Sequence, residues 1–189
     1  MAKLPEILKK SVVAKSRFFT VEELQMRFSN GVERSYERLR TPAHQAVMVV
    51  ALQDDDTVLM IREYGAGLED YTLGLPKGAL EADETLEQGA NRELQEETGY
   101  GARRLMVLKE LTLSPSYMSS RLSVVLAEDL YASRLEGDEP EPIEVLPMKL
   151  SELEGWVWRE ELSEARSIAA LYMVRDILQA RRRETGDGK

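Results

Sequence analysis

The sequence predicts an α/β fold, a mixed β-sheet sandwiched between helices, with an N-terminal β-hairpin as an appendage. Three observations lead there. Short apolar runs set off by turn residues recur at 45–52, 57–61, 105–113 and 122–127, which is the length and composition of strands. Two longer stretches, 85–98 and 161–183, carry apolar residues at helical spacing. Ahead of them, Ser29-Asn30-Gly31 separates two alternating segments, and Asn-Gly in that setting is a strong hairpin signal.

Taken in order, residues 1–15 carry little pattern. Leu24, Met26 and Phe28 alternate with polar neighbours before the turn, and Val32, Arg34 and Tyr36 alternate after it. Two strands alone are marginally stable, so this hairpin needs something to pack on. Thr41-Pro42 punctuates the chain and divides it into an appendage, 1–42, and a main domain, 43–189. Residues 45–52 (QAVMVVAL) are continuously apolar, as in a central strand. Asp54-Asp55-Asp56 is a polar hairpin tip, and 57–61 (TVLMI) is the return strand. Thr85 followed three residues later by Gln88 forms a capping box that opens a helix, and Gly99 closes it. Residues 105–113 and 122–127 are further strands. Pro140 and Pro142 stiffen the acidic loop 135–145 (LEGDEPEPIEV). Trp156 and Trp158 are packing residues. The last helix turns Leu162, Ala165, Ile168, Ala169, Tyr172 and Ile177 inward, and Arg181-Arg182-Arg183 suits its C-terminal dipole.

Composition bounds the function. The chain has 189 residues, 43% hydrophobic and 31% charged, enough for a globular domain with its own core. A net charge of −9 disfavours nonspecific binding to nucleic acid or anionic lipid. With no cysteine there is neither a disulfide framework nor a thiol nucleophile. The single histidine, His44, weighs against histidine-based triads. The first 20 residues lack the apolar core of a signal peptide and no run is long and apolar enough to span a bilayer, so the expected setting is the cytoplasm, with no membrane partner.

The chemistry concentrates between Gly78 and Tyr100 (GALEADETLEQGANRELQEETGY), where seven acids accompany one arginine. A charge run of this kind is usually a solvated helix face. The helical phase says otherwise. At about 100° per residue, Leu86, Ala90 and Leu94 form an apolar stripe, and Glu93 and Glu97 fall on the same side. The two glutamates are also an i,i+4 like-charge pair, unfavourable by roughly 0.2–0.5 kcal/mol in an exposed helix and by more when buried. Local rules broken together mark a functional site. A divalent cation resolves the conflict. Mg²⁺ takes oxygen ligands, often a few carboxylates plus substrate phosphates, and Glu93, Glu96 and Glu97 project from one helical patch. Without a nearby histidine or cysteine, zinc is a poor candidate.

Gly78, Glu84 and the run Arg92-Glu93-Leu94-Gln95-Glu96-Glu97-Thr98-Gly99 resemble the Nudix box, GX5EX7REUXEEXGU with U aliphatic. Every fixed position matches except the last U, which here is the aromatic Tyr100. The resemblance implies a Nudix fold and a metal-dependent hydrolase acting on phosphorus anhydrides. It implies Glu93 and Glu97 as main metal ligands, Glu96 as a further ligand, and the backbone carbonyl of Lys77 as another. Glu84 and Arg92 become a structural ion pair, with Gly78 and Gly99 as structural glycines. The metal is Mg²⁺, with Mn²⁺ possible.

Other segments resemble the ADP-ribose pyrophosphatase and ADP-compounds hydrolase members of the family. Arg62-Glu63-Tyr64 matches a motif whose arginine touches substrate there, although a surface charge at a strand end fits as well. Pro115 lies 15 residues beyond the box, where a proline marks that subgroup. Ser114, Ser119 and Arg121 match the same loop, with Tyr117 in place of a glycine. These imply substrate contacts from Arg62, Tyr64, Ser114, Pro115 and Arg121. In the acidic loop, Glu139 is the candidate catalytic base and Glu141 a further metal ligand. The expected substrates are ADP-ribose, NADH or diadenosine oligophosphates, cleaved to AMP and the other phosphorylated moiety. Pro76-Lys77-Gly78 also resembles dinucleoside-polyphosphate hydrolases, which leaves that class open as the main activity. A nucleotide-sensing module on the same fold remains the non-enzymatic alternative, although the intact Glu93, Glu96 and Glu97 speak against it. Relatives also imply a homodimer formed through the appendage.

Overall fold

The computed structural model describes residues 3–40 and 45–186. The break expected at Thr41-Pro42 and the histidine His44 lie outside them. The chain divides into two units, Met1–Gln45 with Thr112–Arg121, and Ala46–Leu111 with Leu122–Lys189.

In the first unit, β1 (Glu6–Lys15), β2 (Thr20–Arg27) and β3 (Glu33–Arg40) form an antiparallel sheet in that order. The appendage is therefore a three-stranded sheet. The β2–β3 hairpin turns at Gly31, where φ is +82°. Strand β1 is exposed along almost its whole length; with neither face buried, no alternation was selected and none is visible in the sequence. Its register with β2 also shifts twice. Glu22 on β2 is buried and receives Arg38 at 2.9 Å and Arg40 at 3.5 Å. The turn after Thr112 joins this unit: Leu39 N–H donates to Tyr117 O (2.7 Å) and Ser119 N–H donates to Leu39 O (3.2 Å).

The second unit is built on a seven-stranded sheet. Its path runs β10 (Glu144–Lys149), β5 (Thr57–Gly65), β4 (Ala46–Leu52), β9 (Arg121–Ala132), β8 (Tyr100–Thr112), with β6 (Asp70–Gly74) on β5 and β7 (Lys77–Ala79) on β4. Strands β4 and β9 are parallel, and β4 is antiparallel to β5 and β7. Strand alternation sends β4 side chains to two separate cores. Met48, Val50 and Leu52 join Met60, Leu126 and the final helix α3 (Ala165–Thr185) through Ala170, Leu171 and Val174. Val47, Val49 and Ala51 join Leu59, Val125 and helix α1 (Leu86–Thr98) through Ala90 and Leu94. The sheet is sandwiched as the sequence predicts.

Strands β6, β7 and β10 are short and carry no readable period. β10 contains Pro147, which an edge position tolerates. The long helix starts at Ala165 and not at 161, because the Glu164 side chain caps it by accepting from Arg166 N–H and Ser167 N–H. Glu161 is drawn away: its carbonyl accepts from Leu73 N–H (3.0 Å) and its carboxylate meets Arg62. A turn of 3-10 helix, Leu150–Glu152, and the short α2 (Leu153–Trp156) bury Leu150 and Leu153 against this core.

Candidate active site

Helix α1 positions the acids. Thr85 Oγ accepts from Gln88 N–H while the Gln88 side chain accepts from Thr85 N–H, and Gly99 ends the helix at φ +79°. The caps fix the phase that turns Ala90, Glu93, Leu94 and Glu97 toward the sheet. Glu93 is 8% exposed and Glu97 6%. Strand β7 pairs with β4, Val47 opposite Gly78, and this brings the β7 backbone against Glu93. A Cβ on Gly78 would lie 2.1 Å from the Glu93 carboxyl carbon, so any larger residue here must displace that carboxylate.

Arg92 is the electrostatic hub. Its Nε donates to Glu84 Oε1 (2.9 Å) and one terminal nitrogen donates to Glu84 Oε2 (3.0 Å) and Ala79 O (2.9 Å). The other donates to Glu93 Oε1 (2.8 Å) and Glu96 Oε2 (2.9 Å). The Arg92 hydrogen bonds hold Glu84 below the usual carboxylate range. Glu93 shifts upward because burial outweighs Arg92. Glu97 has no guanidinium. It accepts Lys77 N–H at 3.0 Å, and burial pushes its carboxyl up to about 8 despite Lys77, with Glu93 and Glu63 adding to the rise. The Lys77 ammonium pairs with Glu63.

These groups open onto a cleft of about 1090 Å³ lined by 77–81, Arg92, Glu93, Glu96, Glu97 and the loop 134–143, all from the second unit. The loop is moored to α1: Ser133 Oγ donates to Gln95 Oε1 (2.7 Å), Leu135 N–H donates to Gln95 O (3.4 Å), and Gly137 lies against Glu96. Glu139 and Glu141 therefore share the cleft with the helix glutamates. Partial burial, Glu63 and Asp138 raise the Glu139 carboxyl against the opposing Lys77.

The donor chemistry fits a divalent cation. Two buried carboxylates face a polar cleft, and Glu97 lacks a guanidinium partner. Among the described residues, no three potential metal ligands converge on one point, and Arg92 bonds one oxygen each of Glu93 and Glu96.

Residues 42–176 match the NUDIX domain, and residues 5–38 match the NudE-type Nudix hydrolase N-terminal domain. The chain belongs to the Nudix hydrolase family. It is 46% identical to ADP compounds hydrolase NudE of Escherichia coli (strain K12), over 95% of this chain and 96% of that protein. Identity to the ADP-ribose pyrophosphatase of Bacillus subtilis (strain 168) is 30%, over 93% and 98% of the two chains. A crystal structure of an ADP compounds hydrolase superposes with a TM-score of 0.90 at 44% identity, covering 96% of this chain and 97% of that one. Nudix hydrolases of this kind use divalent metal ions.

The remaining sequence candidates are not among the residues that line this cleft. Arg62 is held between Glu144 (2.9 Å) and Glu161 (3.1 Å). Tyr64 is half-exposed, with its ring edge-on to Tyr71 at 5.5 Å. Ser114 begins the turn after β8 at φ +46°, accepting from Tyr117 N–H and Met118 N–H. Ser114, Pro115 and Arg121 belong to the first unit, whereas the cleft lining comes from the second. Sequence reasoning missed Glu63 and Tyr71. Both look like ordinary strand residues until pairing sets Glu63 beside Lys77 and Tyr71 opposite Tyr64.

Proposed function

We propose that this Nudix hydrolase cleaves the diphosphate linkage of ADP compounds (ADP-ribose, NADH and diadenosine oligophosphates), releasing AMP and the other phosphorylated moiety. The observation that carries the reading is the pair of buried glutamates, Glu93 and Glu97, facing a polar cleft with too little positive charge to balance them. The names of the relatives, ADP compounds hydrolase and ADP-ribose pyrophosphatase, point to ADP compounds as the substrate class. Glu93 and Glu97 would hold the metal, and Glu96, Glu141 and the Lys77 carbonyl would be further protein ligands. When bound, Mg²⁺, or Mn²⁺ in its place, would supply charge neutralisation at the pyrophosphate and a lowered pKa for the attacking water. Glu139, whose carboxyl is raised by partial burial, Glu63 and Asp138, is the group placed to accept a proton from the attacking water. Arg92 anchors Glu84 and would share Glu93 and Glu96 with the cation. Tyr64, Ser114, Pro115 and Arg121 contact the nucleotide, and Arg62 supports the strand that carries Tyr64.

The first unit serves as a dimerisation element: Ile7, Val12, Val13, Phe18 and Phe19 leave large apolar side chains exposed along and just after β1. The homodimer acts in the cytoplasm. Lys77, which lines the cleft, favours dinucleoside polyphosphates as a second substrate class, because its cation suits a longer phosphate chain.

The test is incubation with Mg²⁺ and, separately, ADP-ribose, NADH, diadenosine triphosphate and a nucleoside triphosphate, with products resolved by chromatography. AMP from the first three and little from the triphosphate supports the reading, and relative rates rank the substrates. Nucleotide binding with no turnover on any of them assigns a sensing module instead.

A further inference from the structure

Tyr71 sits on β6 directly opposite Tyr64 on β5. Its ring packs edge-on against Tyr64 at an interplanar angle of 69°, which fixes where the phenol points. That phenol O–H donates to Glu141 Oε1. Glu141 lies between Pro140 and Pro142. Each proline fixes its own φ and restricts the residue before it to extended conformations, so 139–142 behave as one short strut and a hold on Glu141 reaches Glu139. The loop is moored upstream at Ser133, Leu135 and Gly137 and downstream by the Arg62–Glu144 pair. Among the described residues, the Tyr71 contact is the one side-chain hydrogen bond between Gly137 and Glu144.

We propose that Tyr71 is a positioning residue that holds the Pro140–Glu141–Pro142 strut over the cleft and thereby sets where Glu139 and Glu141 stand during turnover. The proposal rests on the hydrolytic reading of the site for its catalytic consequence, but not for the hold itself. Tyr71 touches neither substrate nor reacting atoms in this role. It acts through Glu141.

Tyr71→Phe deletes the hydroxyl and keeps the ring against Tyr64. Because the chain has no cysteine, a nitroxide on Glu136→Cys reports on this loop alone, in full-length protein without metal or nucleotide. The expected result is at least a twofold faster label motion in Tyr71→Phe, the same gain in Glu141→Ala, and no further gain in the double variant. In unlabelled protein, Tyr71→Phe should raise the half-saturating Mg²⁺ concentration three- to tenfold in both calorimetric titration and ADP-ribose turnover. Label motion indistinguishable from the parent, additive effects in the double variant, or a looser loop with unchanged metal requirement each overturns the proposal. A parent protein that releases no AMP from any ADP compound overturns the hydrolytic reading instead, and the label comparison still decides whether Tyr71 holds the loop.

Discussion

Glu97→Gln separates the functional use of a buried acid from its structural cost. Without metal, the Glu97 carboxyl is pushed from an ordinary 4.5 to about 8 by burial. The folded protein therefore keeps a proton that the unfolded chain gives up near pH 4.5. The folded state binds more protons across that window, so stability falls as pH rises from about 4.5 to about 8 and then levels off. A gap of about 3.5 pH units at ~1.36 kcal/mol each sets the scale at about 5 kcal/mol when Glu97 is taken alone. Glutamine is neutral and keeps an oxygen to accept Lys77 N–H, which now donates at 3.0 Å. The metal-free variant should be more stable than the parent at pH 9 by about 2–5 kcal/mol, with little difference at pH 5. Mg²⁺ at about 100 times its dissociation constant should add about 2.7 kcal/mol to the parent and far less to the variant. Turnover of ADP-ribose should fall at least about a hundredfold, about 2.7 kcal/mol of lost transition-state stabilisation. Urea unfolding from pH 5 to 9, with chelator or with Mg²⁺, and a coupled AMP assay measure all of this. Glu84, Glu22 and Glu164, whose carboxyls are held low, titrate below this window; Glu93 and Glu139, which are raised as well, are present in parent and variant alike, so the Glu97 contribution is read from the difference between the two proteins. A metal-free variant less stable than the parent at pH 9, or turnover within tenfold of it, refutes the burial reasoning or the metal assignment respectively.

Other substitutions separate geometry from charge. Gly78→Ala places a Cβ 2.1 Å from the Glu93 carboxyl carbon, so turnover should fall at least about a hundredfold while circular dichroism stays native. Arg92→Ala leaves Glu84 and Glu93 without their guanidinium; urea unfolding should show a loss of about 3–5 kcal/mol, partly recovered by Mg²⁺. Leu94→Ala empties a fully buried position under α1 and should cost about 2–5 kcal/mol by the same measurement. Chelation should abolish hydrolysis of every substrate, with recovery on adding back Mg²⁺ or Mn²⁺ followed by AMP release.

Much of the fold was legible in the chain. The continuous apolar run through Val47–Val50 reads as a central strand, and in the fold those residues divide between the two cores. Thr85, Gln88 and Gly99 announce both ends of α1 because capping is local chemistry, settled within one turn. The placement of Glu93 and Glu97 on the buried side of that helix follows from helical phase alone. Other features depend on partners distant in sequence. β1 has no buried face and hence no period, so only pairing with β2 makes it a strand. Nothing near Glu161 reveals that it leaves the helix for Leu73 and Arg62. The Arg62 ion pairs, the Lys77–Glu63 pair and the Tyr71–Glu141 bond join residues 99, 82, 14 and 70 positions apart. Periodicity and spacing report on neighbours along the chain and on the face a side chain takes. Which charge neutralises which, and which tyrosine reaches the acidic loop, is decided only when strand pairing brings remote segments within hydrogen-bond reach.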